Sequence, residues 1–269
     1  MKRALIILLC AFLLCLSLCS CKKEPENLSQ TDSTVPEQTT QTTPQSSVFK
    51  AVIGYYSSDS LNPYKTKSRT NQCIAPLVYD SLFKLNENYE ALPSLAESIE
   101  LDGKKVTVSL RSGMSFSDGN AITASDVAYS FVLAKSSPLY SSRLSNVASC
   151  TDSADALIFT LSVPDVFVAS CLDFPVIEKS SNSKGIPTGS GRYILKKQNK
   201  GYVLTASETS TIAEVMEQKE ISLLDLGATE NRIYLLRTGA LSCFFDPDGK
   251  KSNQKTDAGV SKVMLNNLV

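Results

Sequence analysis

Few side chains in this sequence have the types and spacing that catalysis needs. Ser181 and Lys184 stand in an S-x-x-K pattern, a spacing at which a lysine can activate a serine nucleophile. The serine lies in a polar loop rather than at the start of an apolar helix. The chain of 269 residues contains no histidine, which excludes Ser-His-Asp catalysis, Cys-His catalysis and histidine-based metal sites within it. We therefore expect no enzyme, no resident metal and no cofactor.

Cysteine is the other reactive side chain to consider. Half of the cysteines lie within residues 1–21, and the remainder are scattered without C-x-x-C spacing, at Cys73, Cys150, Cys171 and Cys243. This distribution does not indicate a zinc or redox motif. Isolated thiols are the simpler interpretation. Two disulfides stay open as the alternative, although a chain of this length does not need them for stability.

The amino terminus predicts export. Lys2 and Arg3 precede an apolar run at 4–18, the layout of a secretory signal peptide at 1–20. The run falls short of the ~20 apolar residues of a spanning helix, so an uncleaved signal anchor is the weaker alternative. Leu18-Cys19-Ser20-Cys21 resembles a lipobox, which predicts acylation of Cys21 rather than Cys19. A lipid on Cys21 would anchor the protein to the outer face of the cell membrane, outside the cytoplasm.

The segment after Cys21 is a predicted tether. Residues 24–47 are rich in Thr, Gln, Ser and Pro and almost free of apolar side chains, so they cannot bury enough surface to fold.

The sequence contains 27 Lys and Arg residues and 27 Asp and Glu residues, so its formal charges balance. Removal of the signal, which carries two cations, leaves a slightly acidic chain. We expect no nucleic-acid partner, because such a surface needs clustered cations.

From residue 48 onward the pattern is mixed α and β. It predicts a strand at 48–55, a helix at 71–83 and a hairpin around Asp102-Gly103. Thr123 and Asp126 predict a capped helix. A strand at 157–163, a short helix toward 172, a hairpin around 200–201, a strand at 221–226, a helix at 230–237 and strands at 241–245 and 263–265 follow.

A family resemblance is concentrated in the block 110–131. The positions that carry it are Arg111, Gly113, Phe116, Asp118, Gly119, Thr123, Ala124, Asp126, Val127, Tyr129, Ser130 and Phe131. Shorter matches are Leu61-Asn62-Pro63, 77–82, 91–96, 189–193, 235–241 and 262–266. Together they resemble the family 5 extracellular solute-binding proteins, the oligopeptide and dipeptide receptors of bacterial ABC importers. The resemblance covers nearly all of the mature chain but only the first half or so of a full-length member.

The resemblance implies a two-lobed, mixed α/β, periplasmic-binding-protein-like fold of type II, in the peptide-binding class. The implied organisation is a lipidated tether at 21–47, lobe I at 48–71 and 183–269, and a lobe II insertion at 72–182. The third region of the family, which closes the cleft and supplies an acidic partner for the peptide amino group, is absent from this sequence. We therefore expect a truncated, incomplete lobe I.

The implied function is capture of short peptides, or similar small solutes, for delivery to ABC permease subunits. The loop 65–70 is an expected ligand contact, with Lys67, Ser68 and Arg69, because its backbone could pair with an extended peptide. Tyr140 is the second expected contact, since an aromatic ring with a polar tip suits a partly wet site. Ordinary solvated loops are the alternative at both places.

Other functions fit parts of the pattern. A truncated receptor could be a peptide sensor that does not transport, or a non-functional remnant. The S-x-x-K pattern and Arg237-Thr238-Gly239, which loosely resembles a K-T-G strand, would suit a penicillin-recognising serine enzyme. No Ser-x-Asn motif intervenes between the two, which argues against that enzyme.

Overall fold

The computed structural model describes residues 51–153, 156–199, 201–208, 218–229 and 231–244. Short 3₁₀ helices span Val168–Cys171 and Lys179–Lys184. The other elements, in chain order, are β1 (Ala51–Tyr55), α1 (Arg69–Gln72), α2 (Ala75–Val78), β2 (Phe83–Leu85), β3 (Ala91–Pro93), β4 (Ala96–Asp102), β5 (Lys105–Leu110), α3 (Ala124–Ser136), β6 (Val147–Ser153), β7 (Ala156–Leu161), β8 (Tyr193–Gln198), β9 (Gly201–Ala206), β10 (Glu220–Asp225) and α4 (Arg232–Arg237).

The first sheet joins distant parts of the chain. Its strand order is β1-β10-β9-β8. β1 runs parallel to β10, with Ala51 opposite Ile221, while β8, β9 and β10 pair antiparallel. A parallel pair needs a long crossover, and here the crossover contains every other described element except α4. The mixed α/β class predicted from the sequence is confirmed.

The second sheet is antiparallel, with the order β4-β5-β7-β6. The predicted hairpin at Asp102-Gly103 is present, and Gly103 has a φ of +59°, which glycine adopts at little cost. Val106 faces Phe159 and Val108 faces Leu157 across β5 and β7. All four side chains are fully buried, as strict alternation along a strand predicts. This face forms the core beneath α3.

The predicted cap of α3 is confirmed. The Thr123 amide donates to the Asp126 carboxylate at 3.0 Å, and the Asp126 amide donates back to the Thr123 hydroxyl at 3.3 Å. The other Asp126 oxygen accepts from the Lys179 amide at 3.0 Å, which ties the helix start to a later segment. Phe131 packs edge-on against Phe159, with ring centroids 5.7 Å apart. The helix is therefore fixed at its start and along its buried face.

The predicted continuous helix at 71–83 is wrong. The structure has two single-turn helices there, α1 and α2, followed by extended backbone. Pro76 explains the break, because inside a longer helix its ring would clash with the Gln72 carbonyl and it lacks the amide to bond it. The Val78 carbonyl instead accepts from the Gly191 amide at 2.9 Å. A Cβ on Gly191 would clash with the backbone of Val78, so this approach requires glycine.

Other differences concern weak or polar segments. β2, β3 and β6 had no clear signal; β6 is an edge strand whose side chains are mostly exposed, so it lacks apolar alternation. The short helix expected toward 172 is a single 3₁₀ turn, Val168–Cys171. The strand expected at 241–245 is represented by a parallel bridge between Cys243 and Ile53. Residues 1–50 and the predicted strand at 263–265 lie outside the described residues.

Candidate binding site

The loop after β1 is organised around one carboxylate, that of Asp59. It accepts from the backbone amides of Lys67 at 2.9 Å, Ser68 at 2.6 Å and Ser60 at 2.8 Å. The Thr66 hydroxyl donates to it at 3.0 Å. Burial pushes the pKa of Asp59 upward, but these donors outweigh burial and hold the pKa below its ordinary value of 3.8. Asp59 is therefore the ionised centre of this loop.

Two buried asparagines fix the loop to its surroundings. The Asn71 side chain bonds both the amide and the carbonyl of Tyr56, at 2.8 and 2.9 Å. The Asn62 side chain accepts from the Tyr64 amide at 3.0 Å and donates to the Gly185 carbonyl at 3.0 Å. A buried amide that satisfies its donors and acceptors in this way specifies one local geometry. The loop is thus a rigid platform that touches the segment around Gly185.

The loop 65–70, predicted to contact ligand, belongs to this platform, and its amides up to Ser68 already have acceptors. The amides of Lys65 and Thr66 donate to the Asn62 carbonyl, and those of Lys67 and Ser68 donate to Asp59. These four residues therefore offer no free amide donor to a peptide, and ligand contact by Lys67, Ser68 and Arg69 stays a prediction.

The side chains of this segment alternate between interior and solvent. Thr66 and Thr70 are buried, whereas Lys65, Lys67 and Arg69 are exposed. The Ser68 hydroxyl accepts from the Asn71 amide at 3.4 Å and caps α1. Within the described part of the chain, the three exposed cations have no ion-pair partner. The exposed charged side chains of the segment 65–70 are therefore all positive.

The other predicted contact, Tyr140, is half-buried. Its ring packs against Tyr64, with centroids 5.7 Å apart, and the Arg143 guanidinium lies 5.3 Å from its centroid. Burial raises the pKa of Tyr140 to about 12, with Arg143 lowering it and Asp173 raising it. Its hydroxyl forms no hydrogen bond with any of the described residues. Tyr64 follows the asparagine that anchors the loop, so the ring packing links Tyr140 to the platform.

A half-open cavity of about 570 Å³ lies beside the platform. Its walls come from the end of β1 and the loop after it, the segment 184–189, β8 and Tyr202 of β9. Asp59 and Leu61 contribute from the platform, and Lys184 and Lys197 bring cations. More than half of this wall comes from residues 184–202, which the sequence analysis did not single out for binding. Their distance along the chain from the platform left no local signal.

The S-x-x-K pattern does not form a nucleophile. Ser181 is fully buried, and its hydroxyl donates to the Glu178 carbonyl and accepts from the Thr188 amide, both at 2.8 Å. Lys184 is exposed. Arg237 ends α4 and Thr238 caps it, so the supposed K-T-G strand is the end of a helix. The serine-enzyme alternative therefore has no support in the geometry.

The four described cysteines are free thiols: Cys73, Cys150, Cys171 and Cys243. Burial raises the pKa of each, to about 12 for Cys150 and about 11 for Cys243, so they are inert near neutral pH. In the described ranges, no set of three or more His, Cys, Asp or Glu side chains could hold a metal ion. No helix of those ranges is long and apolar enough to cross a membrane, and Cys21 lies outside them.

Comparison with known proteins indicates the class of protein to which the matched segment is similar. Residues 90–209 match the family model described as bacterial extracellular solute-binding proteins, family 5 Middle. The resemblance predicted from the sequence is therefore confirmed over this segment, which is less than half of the chain. Protein XP55 of Streptomyces lividans is 31% identical over 139 residues, which cover 46% of this chain and 26% of that protein.

Solved structures share the fold. The oligopeptide-binding protein AppA of Bacillus subtilis, in complex with a nonapeptide, has a TM-score of 0.60 at 20% identity, over 71% of this chain and 43% of its own. NikZ of Campylobacter jejuni, in complex with Ni(L-His), has a TM-score of 0.59 at 20% identity, over 72% of this chain and 42% of its own. OppA of Burkholderia pseudomallei has a TM-score of 0.61 at 17% identity, over 72% of this chain and 45% of its own.

These comparisons confirm the predicted fold class, that of the periplasmic solute-binding proteins. The chain spans less than half of each of these solved structures and about a quarter of Protein XP55. The family model describes extracellular solute-binding proteins rather than enzymes, in agreement with the expectation of no catalysis.

Proposed function

We propose that this chain contributes one wall of the binding site of an ABC importer's solute receptor, and that the solute is a short peptide. The observation that carries the proposal is the platform locked by Asp59 beside a cavity, in a chain with the family 5 fold. A cavity of about 570 Å³ falls in the usual size range of ligand sites, ~300–1,000 Å³. The expected partners are ABC permease subunits and, through a lipid on Cys21, the outer face of the cell membrane.

The proposed organisation follows the sheets. β1 pairs with β10 in one sheet, and the other four-stranded sheet lies between them in the chain. This topology supports the division into lobe I, at 48–71 and 183–269, and an inserted lobe at 72–182. The buried side chains of both sheets form one continuous core, so the two parts share an interior.

Receptors of this fold hold ligand by closing two walls on it, and affinity comes from the closed state. A single wall makes only part of the contacts. We therefore expect a dissociation constant of about 0.1–1 mM, or roughly 4–5.5 kcal/mol of binding free energy.

Isothermal titration calorimetry with a mixed pool of tri- to pentapeptides tests the proposal. Saturable binding in the expected range, abolished by Asp59→Ala and kept by Glu97→Ala on β4, supports it. The absence of any binding at several millimolar peptide favours the alternative of a remnant. Binding without stimulation of a cognate permease would favour the sensor. Peptide hydrolysis during the titration would refute a binding role.

A further inference from the structure

We infer that the site selects solutes that carry carboxylate groups, so that acidic peptides are its preferred class; this rests on the proposed function. The term basic rim is used here for five cations: Lys184 and Lys197, which line the cavity, and Lys65, Lys67 and Arg69, which lie on the platform beside it. All five are exposed.

The first support is the way in which the platform presents its charge. Because every amide from Lys65 to Ser68 is bonded within the loop, contact with a ligand there falls to the side chains. The outward side chains of 65–69 are two lysines and one arginine. Arginine in particular bonds a carboxylate through two parallel N–H groups. The loop is rigid because Asp59 and two buried asparagines hold it, so little ordering is needed when a ligand binds.

The second support is the opposite side of the cavity. Lys184 and Lys197 line it and form no ion pair within the described residues. The Asn62 side chain joins the platform to the Gly185 carbonyl at 3.0 Å, so Lys184 stands next to the platform. Cations thus approach the cavity from two elements that touch each other.

The acidic groups nearby are already engaged. Asp59 serves the platform amides. Asp225 accepts from both the amide and the hydroxyl of Ser57 and from the Gly227 amide. Glu178 accepts from the Asn120 side chain at 2.8 Å. These carboxylates stay ionised, because neutral donors stabilise their charge without cancelling it. The five cations of the basic rim outnumber these three carboxylates, so the net charge that a solute meets is positive.

A small solute fits this surface better than a membrane does, because two of the cations line a concave cavity of ligand size and the other three lie on the platform beside it. One solvent-exposed ion pair changes an equilibrium by less than about fivefold. Several pairs together should favour an acidic solute by about tenfold, and salt should weaken the preference.

The test compares three tetrapeptides with free termini: Ala-Glu-Glu-Ala, Ala-Gln-Gln-Ala and Ala-Lys-Lys-Ala. Calorimetry at 20 and 300 mM NaCl should show the Glu peptide binding about tenfold more tightly than the Gln peptide at low salt, and less than threefold at high salt. The double variant Lys184→Gln, Lys197→Gln should reduce the difference in affinity between the Glu and Gln peptides. The matched control, Lys104→Gln with Lys105→Gln on the β4–β5 hairpin, should keep it.

Equal affinity for all three peptides, or preference for the Lys peptide, would overturn the inference and leave the proposed function intact. No binding by any peptide would overturn both. The protein could instead bind phosphatidylglycerol vesicles, lose that binding in the double variant and show no discrimination among the peptides. That result would assign the basic rim to a lipid surface and would also overturn the inference.

Discussion

The carboxylate of Asp59 accepts a hydrogen bond of 2.6 Å from the backbone amide of Ser68, nine residues along the chain. This bond and those from Lys67 and Ser60 close the loop after β1 into a fixed platform. The exposed cations of the platform have defined positions only while the carboxylate is present and ionised. The consequences for stability, for pH dependence and for ligand binding can each be measured.

Removal of the Asp59 carboxylate should destabilise the protein and loosen the platform. Asp59→Ala leaves several amides without an acceptor, and we expect the free energy of unfolding to fall by about 1–3 kcal/mol. Urea denaturation monitored by circular dichroism measures it. Glu97→Ala, an exposed carboxylate on β4, is the control and should change stability by less than about 0.5 kcal/mol. An equal effect of the two substitutions would show that the loop does not depend on Asp59.

Acid should remove the stabilisation that the ionised Asp59 carboxylate provides. The pKa of Asp59 is lowered from its ordinary value of 3.8 in the folded protein. A lowered pKa means that the stabilisation is complete above the unfolded-state pKa and is lost as pH falls through the folded-state pKa. Stability measured between pH 2 and pH 6 should therefore drop below about pH 4, less steeply in Asp59→Asn than in wild type. Parallel curves for the two proteins would show that other carboxylates account for the acid sensitivity.

Two substitutions at Tyr140 separate packing from ligand contact. Tyr140→Phe keeps the ring against Tyr64 and should change stability by less than about 1 kcal/mol. Tyr140→Ala removes a half-buried ring and should cost about 1–3 kcal/mol, less than a fully buried ring. If the hydroxyl contacts ligand, Tyr140→Phe should still weaken peptide binding in calorimetry. Unchanged affinity in this variant would limit Tyr140 to packing.

The proposed anchor predicts lipid attachment at one cysteine. Expressed in bacteria with radioactive palmitate, the protein should be labelled and should sediment with membranes. Cys21→Ala should abolish both, whereas Cys19→Ala should change neither. Labelling that survives Cys21→Ala would refute the lipobox assignment.

Features fixed by neighbouring residues were predictable from the sequence. The Asp102-Gly103 hairpin and the Thr123–Asp126 cap depend on contacts within a few positions, and both are present. The helix expected at 71–83 failed because its apolar spacing ignored Pro76 and the pairing of Val78 with Gly191. That pairing links positions far apart in the chain, where periodicity carries no information.

The candidate site was only partly predictable for the same reason. The resemblance pointed to Lys67, Ser68, Arg69 and Tyr140. It did not indicate whether the backbone or the side chain of each residue would face a ligand. Asp59 stands in a polar run and has the pattern of any solvated turn; the role of its carboxylate appears only once the loop folds back on it. The cavity wall at 184–189 reaches the platform through the Asn62–Gly185 bond, which no local pattern indicates.

The most direct test of the central claim is a two-dimensional ¹H–¹⁵N NMR titration of the protein with Ala-Glu-Glu-Ala. The account predicts that amide resonances of 65–69 and 184–189 shift together, with one saturation curve and a dissociation constant of about 0.1–1 mM. Amides of the β4–β5 hairpin should stay in place. Shifts centred elsewhere on the protein, or no shifts at several millimolar peptide, would contradict the claim that the Asp59 platform and its cavity bind the solute.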